Sequence, residues 1–368
     1  VKSKLNKNPN NNKSSKGQMQ KFEIKTCKPP QQVAIKPQPT QQPKLIGKAP
    51  VCHYSEQGPR PSMEDTYQII HFTLNGKKAT FYGVFDGHGG KDVSYYLIDK
   101  KKGIFPYLIE SLKKNGKNNV EDVIRLAFLK YDKHLYENKL KAGSTATIIL
   151  YYDNFMYLIN LGDSRSLVFT DNLKLRIQTR DHKPWLSTER NRIYKAGYFV
   201  NPFKIYYQKT KKSYDNGDIY VNSRTTKYEI YLNGKWDSIT QTQLKQIEQL
   251  SKASNIDTHR VCNSLALSRA FGDFYLKMNR EGKYMSAEAA VSPEPEIKKI
   301  DLRPHKGQMV NILLASDGFW DVAKVTDGFL NLIKESTNLQ ETCKTLVKDA
   351  LAKESQDNTT VVMDRFKA

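Results

Sequence analysis

The stretch Thr145-Ala-Thr-Ile-Ile-Leu-Tyr-Tyr152-Asp153-Asn154-Phe155-Met-Tyr-Leu-Ile-Asn160 reads as two apolar, β-branched and aromatic strands separated by two turn residues. Two residues cannot carry a chain back to a parallel neighbour, which needs a crossover of about a dozen or more, so this pair is expected to be a hairpin. The turn Gly162-Asp163-Ser164-Arg165, ahead of Leu167–Thr170, reads as a second hairpin on the same ground. Working outward, Thr66–Phe72, Ala79–Phe85, Val310–Ala315 and Thr359–Met363 have the same short apolar character between turn residues and are expected strands. Residues 120–140 instead place Val120, Val123, Ile124, Ala127, Phe128, Tyr131 and Leu135 on one helical stripe. Leu339–Lys353 repeats that pattern, and a shorter helix is expected from a Ser187 cap to Gly197. Antiparallel sheets with helices packed outside them, an α+β chain, fit this better than a doubly wound parallel sheet.

The 368 residues carry 59 Lys+Arg against 38 Asp+Glu, a formal charge of +21 that alone points to nucleic acid or a membrane surface. The location of the charge weakens that reading. Residues 1–50 hold eleven lysines and one acid, Glu23, together with the run Asn8–Asn12 and repeated Pro and Gln. Such a composition cannot bury enough apolar surface to offset chain entropy, so 1–50 is expected to be a disordered basic tail ahead of a folded region, 51–368. Phe22 is the tail's single aromatic, which argues against specific nucleic-acid binding. Apolar runs such as Ile312–Ala315 are too short to span a bilayer, and no secretory signal is visible. Cys27, Cys52, Cys262 and Cys343 share no paired spacing and read as reduced thiols of an intracellular protein, cytoplasmic or nuclear.

Five segments set acids beside apolar strands. They are Arg60-Pro61-Ser62-Met63-Glu64-Asp65, Phe85-Asp86-Gly87-His88-Gly89-Gly90, Leu161-Gly162-Asp163-Ser164-Arg165, Ala315-Ser316-Asp317-Gly318-Phe319-Trp320-Asp321 and Gln356-Asp357-Asn358-Thr359-Thr360. Taken singly, an Asp-Gly pair is an ordinary turn. Together they say more, because strand ends converge at a sheet edge. A dense set of carboxylates is unstable unless it binds cations or shifts its proton affinities. Carboxylates plus a backbone carbonyl, without His or Cys partners, suit hard cations such as Mg²⁺ or Mn²⁺. Zinc is disfavoured, since none of the seven histidines forms an H-x-x-x-H or H-x-H pair. The chain also has no EF-hand spacing, no Walker-type Gly-Lys loop and no kinase Gly-rich strand.

R-x-x-M-E-D at Arg60–Asp65, D-G-H-G-G at Asp86–Gly90, G-S-T-A at Gly143–Ala146, G-D-S-R at Gly162–Arg165, D-H-K-P at Asp181–Pro184, L-A-L-S-R-A-F-G-D at Leu265–Asp273, S-D-G-F-W-D at Ser316–Asp321 and D-N-T-T at Asp357–Thr360 resemble, in order, the motifs of the metal-dependent protein phosphatase family, type 2C. The resemblance implies a four-layer α-β-β-α sandwich of two antiparallel sheets flanked by helices, with an inserted flap region. It implies that Glu64, Asp65, Asp86, the Gly87 carbonyl, Asp317 and Asp357 surround two Mg²⁺ or Mn²⁺ ions, and that Asp163, Asp317 and Asp321 hold a weaker third.

On that resemblance, 51–368 is a phosphatase catalytic domain and the chain a protein serine/threonine phosphatase acting on phosphorylated proteins. A phosphomonoester dianion repels nucleophiles, so such a site has to neutralise charge and supply hydroxide. Two metals about 3.5–4 Å apart can share one water, lower its pKa and orient it in line with the leaving oxygen. Asp86 belongs to that catalytic set, Arg60 is the expected phosphate clamp, and His88 is the expected general acid toward a poor Ser or Thr alkoxide leaving group. Arg165 and Arg269 are assigned to internal ion pairs, Trp320 to packing, and His182 to structure. A catalytically weak, phosphoprotein-binding scaffold is the alternative; it is expected to lack one or more of the carboxylates, and none is missing.

Residues 201–258 break the rhythm with six tyrosines (206, 207, 214, 220, 228 and 231), an expected hairpin at Asn233-Gly234 and a Gln-rich helical stretch at Thr240–Ser251. This segment reads first as a tolerated surface insertion and alternatively as a docking surface, since tyrosines offer large contact area with a polar tip. The flanking sequence departs from the family at Ala196-Gly197-Tyr198 and at Arg260-Val261-Cys262-Asn263, where Ala-Gly-Gly and Arg-Val-Asn-Gly are usual. Those departures bear on substrate preference. A monomer is expected.

Overall fold

Tyr152 and Phe155 face each other across Asp153 and Asn154, whose φ values of 52° and 65° are the two positive values a two-residue type I′ hairpin requires. The computed structural model describes residues 51–115, 119–201, 205–206, 219–222, 227–232, 235–245, 259–262, 264–279 and 281–368. The expected tail at 1–50, the turn Asn233-Gly234 and residues 246–251 lie outside them.

From that hairpin a five-stranded antiparallel sheet extends in the order Glu296–Asp301, Phe155–Leu161, Ala146–Tyr152, Lys77–Phe85, Thr66–Leu74. A second antiparallel sheet runs Cys52–Glu56, Thr359–Lys367, Met309–Ala315, Arg165–Thr170, Arg176–Gln178. Side-chain alternation along these strands builds the layers. Tyr82, Val84, Ile149 and Leu158 of the first sheet meet Val168, Val310, Ile312, Leu314 and Val362 of the second in one buried cluster. The opposite face of the first sheet, with Phe81, Phe85, Ile148 and Leu150, takes Leu97, Phe105, Leu108 and Phe128 from helices Asp92–Leu97, Ile104–Lys114 and Val120–Glu137. Leu313, Ala315, Val361 and Met363 on the outer face of the second take Leu330, Ile333, Leu346 and Val347 from Asp327–Glu335 and Leu339–Ala352. Each fully buried Val, Leu, Ile, Phe or Met among them contributes about 1.5–3 kcal/mol. The result is the expected α-β-β-α order.

Two expectations are corrected. Gly162–Arg165 is not a hairpin: Leu161 ends in the first sheet and Arg165 begins in the second, so the turn carries the chain between layers. Its hydrogen bonds go to another segment, with the Gly162 N–H donating to His182 Nδ1 and the His182 N–H donating to the Gly162 carbonyl. Gly162 has φ 108°, a value only glycine adopts without strain, and a Cβ there would lie 2.7 Å from the Thr145 side chain. Ser187 is likewise not a cap but the first residue of helix Ser187–Lys195, preceded by Leu186 without any side-chain cap. A turn sets that helix start, the Leu186 N–H donating to the Lys183 carbonyl at 3.1 Å.

The insertion carries a four-stranded sheet in the order Ile205–Tyr206, Ile219–Asn222, Lys227–Leu232, Lys235–Ile239, with the first pair parallel and the rest antiparallel. Leu232 pairs with Lys235, so the strands on either side of Asn233-Gly234 do pair as a hairpin. Residues 241–245 are helical, opened by a reciprocal cap in which the Thr240 N–H donates to Gln243 Oε1 and the Gln243 N–H to Thr240 Oγ1. Ile219, Ile230, Ile239 and Leu244 are buried with Ile193, Val200 and Val291 of the main body, so the insertion contributes core and is more than surface. Elsewhere the Cys52 and Cys343 thiols, far apart in sequence, meet in the core with their sulfurs 2.7 Å apart. No helix among the described residues is long and apolar enough to cross a membrane.

Candidate active site

The strand ends converge as the acid pattern requires. Asp65 leads into Thr66–Leu74, Asp86 follows Lys77–Phe85, Asp163 sits in the crossing between sheets, Asp317 opens the short helix Asp317–Trp320 with Asp321 behind it, and Asp357 precedes Thr359–Lys367. Asn358 holds the Arg60–Asp65 loop in place, its side chain accepting from the Glu64 N–H and donating to the carbonyls of Gln57 and Ser62. Ser316 ties two ends together by donating to Asp65 Oδ2 at 2.7 Å.

Crowding and burial are written into the proton affinities. Burial pushes Asp65 up to about 7, with the Asp357 charge adding to it and the hydrogen bond from Ser316 opposing. Asp86 is held well above the usual carboxylate range by burial, then by the charges of Asp317, Asp65, Asp163 and Asp357. Asp317 is held there by burial, then by Asp163, Asp321 and Asp357. Asp321 and Asp357 are raised too, burial being the first cause in each and the cations Lys183 and Arg60 opposing it. These acids therefore act on one another as a single electrostatic unit.

Several of their oxygens are taken by internal partners. Arg60 donates to Asp357 Oδ2 at 2.6 Å, Lys183 to Asp163 Oδ2 at 2.5 Å, and the Gly90 N–H to Glu64 Oε2 at 3.1 Å. Among the described residues no three His, Cys, Asp or Glu side chains already close on a common point as metal ligands. Yet Asp65, Asp163 and Asp317 each keep a buried Oδ1 with no hydrogen-bond partner among the described residues. A buried carboxylate oxygen without a donor costs several kcal/mol, on the order of 1–3 or more, and a cation is the partner that removes the cost. Hard, anionic, oxygen-only donors of this kind fit Mg²⁺ or Mn²⁺. Glu64, Asp65, Asp86, Gly87, Asp317 and Asp357 are thus brought to one place, with Asp163 and Asp321 on the Lys183 side.

His88 pairs with none of them. Its Nε2 donates to Asp273 Oδ2 at 2.7 Å, and although burial disfavours its charged form, the Asp273 carboxylate outweighs that and raises its pKa. The remaining assignments also have a place. Arg165 donates twice to Asp181, at 2.9 Å each, Arg269 pairs with buried Glu189 at 2.6 Å, and the Trp320 indole donates to the Arg165 and Ala315 carbonyls. Lys183 and Asp273 are the residues that sequence reading passed over. Both lie inside quoted motifs, D-H-K-P and L-A-L-S-R-A-F-G-D, but only their neighbours in space give them a role.

Comparison with known proteins places this geometry among relatives. The family model described as protein phosphatase 2C matches residues 54–211 and 247–359, breaking across the middle of the insertion. The probable protein phosphatase 2C 69 of Arabidopsis thaliana is 29% identical over 322 residues, covering 87% of this chain and 71% of its own length. Protein phosphatase 1A of Homo sapiens is 29% identical over 333 residues, covering 85% and 69%. Among solved structures, a serine-threonine phosphatase 2C from Toxoplasma gondii shares the fold at TM-score 0.58 and 20% identity, over 87% of this chain and 96% of that one. A C. elegans sex determining protein does so at TM-score 0.57 and 20% identity, this chain spanning 64% of its length.

Proposed function

Because the chain belongs to the protein phosphatase 2C family, we propose that it hydrolyses phosphoserine and phosphothreonine in proteins with Mg²⁺ or Mn²⁺ held at its acidic cluster. The unpartnered, buried carboxylate oxygens of Asp65, Asp163 and Asp317 carry the reading, since they need a cation. Glu64, Asp65, Asp86, Asp317 and Asp357, with the Gly87 carbonyl, are the groups that would hold two ions, and Asp163, Asp317 and Asp321 those that would hold a third. When bound, such ions neutralise the phosphate dianion and make hydroxide available at neutral pH by lowering the pKa of a shared water.

The rest of the work falls to the chain. Arg60 is half exposed and bonded to Asp357 and to the Gln356 carbonyl at the rim of the cluster, which supports a role as phosphate clamp in which its fork of N–H groups turns onto two phosphate oxygens. His88, hydrogen-bonded through Nε2 to the Asp273 carboxylate, gives a proton to the departing Ser or Thr oxygen as the P–O bond breaks. The partly exposed rings of Tyr231 and Trp236 on the insertion are where we place docking of the phosphoprotein. A scaffold without catalysis has no need of a complete carboxylate set.

Peptides carrying phosphothreonine, phosphoserine or phosphotyrosine, each supplied with Mn²⁺, test the assignment through release of inorganic phosphate. Turnover of the first two and little of the third is expected; preference for phosphotyrosine would overturn it.

A further inference from the structure

Three two-residue strands, Gly87–His88, Gly143–Ser144 and Phe271–Gly272, make a small antiparallel sheet with Gly143–Ser144 in the middle. Its register sets His88 opposite Gly143, and Gly143 opposite Gly272. His88 and Asp273 therefore approach from the two flanks of one glycine. A Cβ at Gly143 would stand 2.2 Å from both His88 Nε2 and Asp273 Oδ2, so no other residue leaves room for the contact between them.

Asp273 is buried and adopts φ 51°, ψ 41°, a left-handed backbone that costs about 1 kcal/mol for most residues and less for Asp or Asn. The segment around it is held from two sides. The Asp273 N–H donates to the Ala142 carbonyl at 3.1 Å, and the Gly272 N–H donates to Asp132 Oδ1 at 2.8 Å. Asp132, buried in helix Val120–Glu137, also accepts from Lys277 Nζ at 2.8 Å and Tyr284 Oη at 2.7 Å. Lys277 is fully buried and donates in addition to the Ala270 carbonyl. A buried lysine–carboxylate pair of this kind is costly unless its remaining donors and acceptors are satisfied. Here Asp132 accepts from three donors and Lys277 donates to two acceptors, which ties residues 270–277 to helix Val120–Glu137.

We propose that Asp273 is a positioning residue for His88, its carboxylate fixing the imidazole through Nε2 so that Nδ1 is the nitrogen presented to the leaving-group oxygen. His88 Nδ1 has no hydrogen-bond partner among the described residues, and the side chain is 22% exposed, which leaves that nitrogen open to substrate and to solvent. As the P–O bond breaks, the Nδ1 proton passes to the seryl or threonyl oxygen. The ring is left neutral, its remaining proton on Nε2 and hydrogen-bonded to Asp273, and solvent reprotonates Nδ1. This deepens the reading of His88 as general acid and rests on it.

The test compares substrates that do and do not need an acid. Asp273→Asn keeps the side-chain shape and tolerates the left-handed backbone. In the Mn²⁺-loaded enzyme it is expected to lower kcat on a phosphothreonine peptide by about 10–100-fold with little change in KM, and on p-nitrophenyl phosphate by less than about threefold. Gly143→Ala, which changes neither side chain but forces the two apart, is expected to give the same split. His88→Gln should show it too, and adding Asp273→Asn to His88→Gln should cost nothing further. In NMR spectra of the metal-free protein, the low-field His88 Nε2 proton should be present in the wild type and lost in Asp273→Asn. Equal losses on both substrates for Asp273→Asn and Gly143→Ala, with the split retained for His88→Gln, would overturn the positioning role while leaving His88 as the acid. Equal losses for His88→Gln would overturn both.

Discussion

Lys183 Nζ lies 2.5 Å from Asp163 Oδ2, both largely buried, so the chain supplies a cation of its own to the side of the acidic cluster where Asp163, Asp317 and Asp321 gather. Burial works against the lysine's charge, but Asp163 outweighs it and pushes its pKa up. Removing one partner of a buried pair strands the other, at about 3–5 kcal/mol. Lys183→Met is therefore expected to lower the melting temperature of the EDTA-treated protein markedly, and Mn²⁺ to recover much of the loss. A variant that melts with the wild type in EDTA would show that the pair does not hold the cluster together.

Asp317 is a case in which function and stability oppose each other. Its pKa is raised by burial and by neighbouring acids, so its ionised form destabilises the metal-free fold at neutral pH. Asp317→Asn is expected to abolish phosphate release, by at least about a hundredfold, and yet to raise the melting temperature in EDTA. Thermal scans at neutral pH with and without metal check both halves, and a less stable metal-free variant contradicts the electrostatic account.

Glu189 has the opposite sign. Burial disfavours its charge, but hydrogen bonds and charges from Arg269 and Arg192 hold it well below the usual carboxylate range. A depressed folded-state pKa gives stability that is present above the unfolded value, about 4.3, and is lost as pH falls through it toward the folded value. Urea unfolding should show Glu189→Gln less stable than the wild type by about 3–5 kcal/mol near neutral pH. The gap should close progressively below about pH 4. A pH-independent gap would mean that packing, not charge, is lost.

The insertion separates core from docking. Ile230 is buried in the same cluster as Ile193 and Val291, and Ile230→Ala should cost about 2–4 kcal/mol. Tyr231 and Trp236, with ring centroids 5.1 Å apart and both partly exposed, should matter to substrate instead. Trp236→Ala is expected to lower kcat/KM on a folded phosphoprotein several-fold and to leave a short phosphopeptide unaffected; parallel losses on both would remove the docking role.

The Asp153-Asn154 turn was legible because two residues admit one geometry between strands. Gly162–Arg165 was not, since a tight turn of similar composition also serves to change sheets, and only the bonds to His182 distinguish the two. The Ser187 expectation failed for a related reason: the Lys183–Leu186 turn starts that helix without a polar cap. The carboxylates were readable because acids at strand ends are costly wherever they sit. Asp273 and Lys183 were invisible as functional groups because their partners, His88 and Asp163, are met only through the small sheet and the crossing between layers.

If these carboxylates hold divalent cations and use them to hydrolyse phosphomonoesters, metal binding and phosphate release must rise together. Titrating Mn²⁺ into the EDTA-stripped protein while following, in the same samples, heat of binding and phosphate release from a phosphothreonine peptide measures both. Binding of at least two ions per chain, release that rises with their occupancy, and loss of both in Asp86→Asn are expected. Release that persists in EDTA or in Asp86→Asn, or saturating metal binding with no release from any phosphoserine or phosphothreonine peptide, would contradict that coupling.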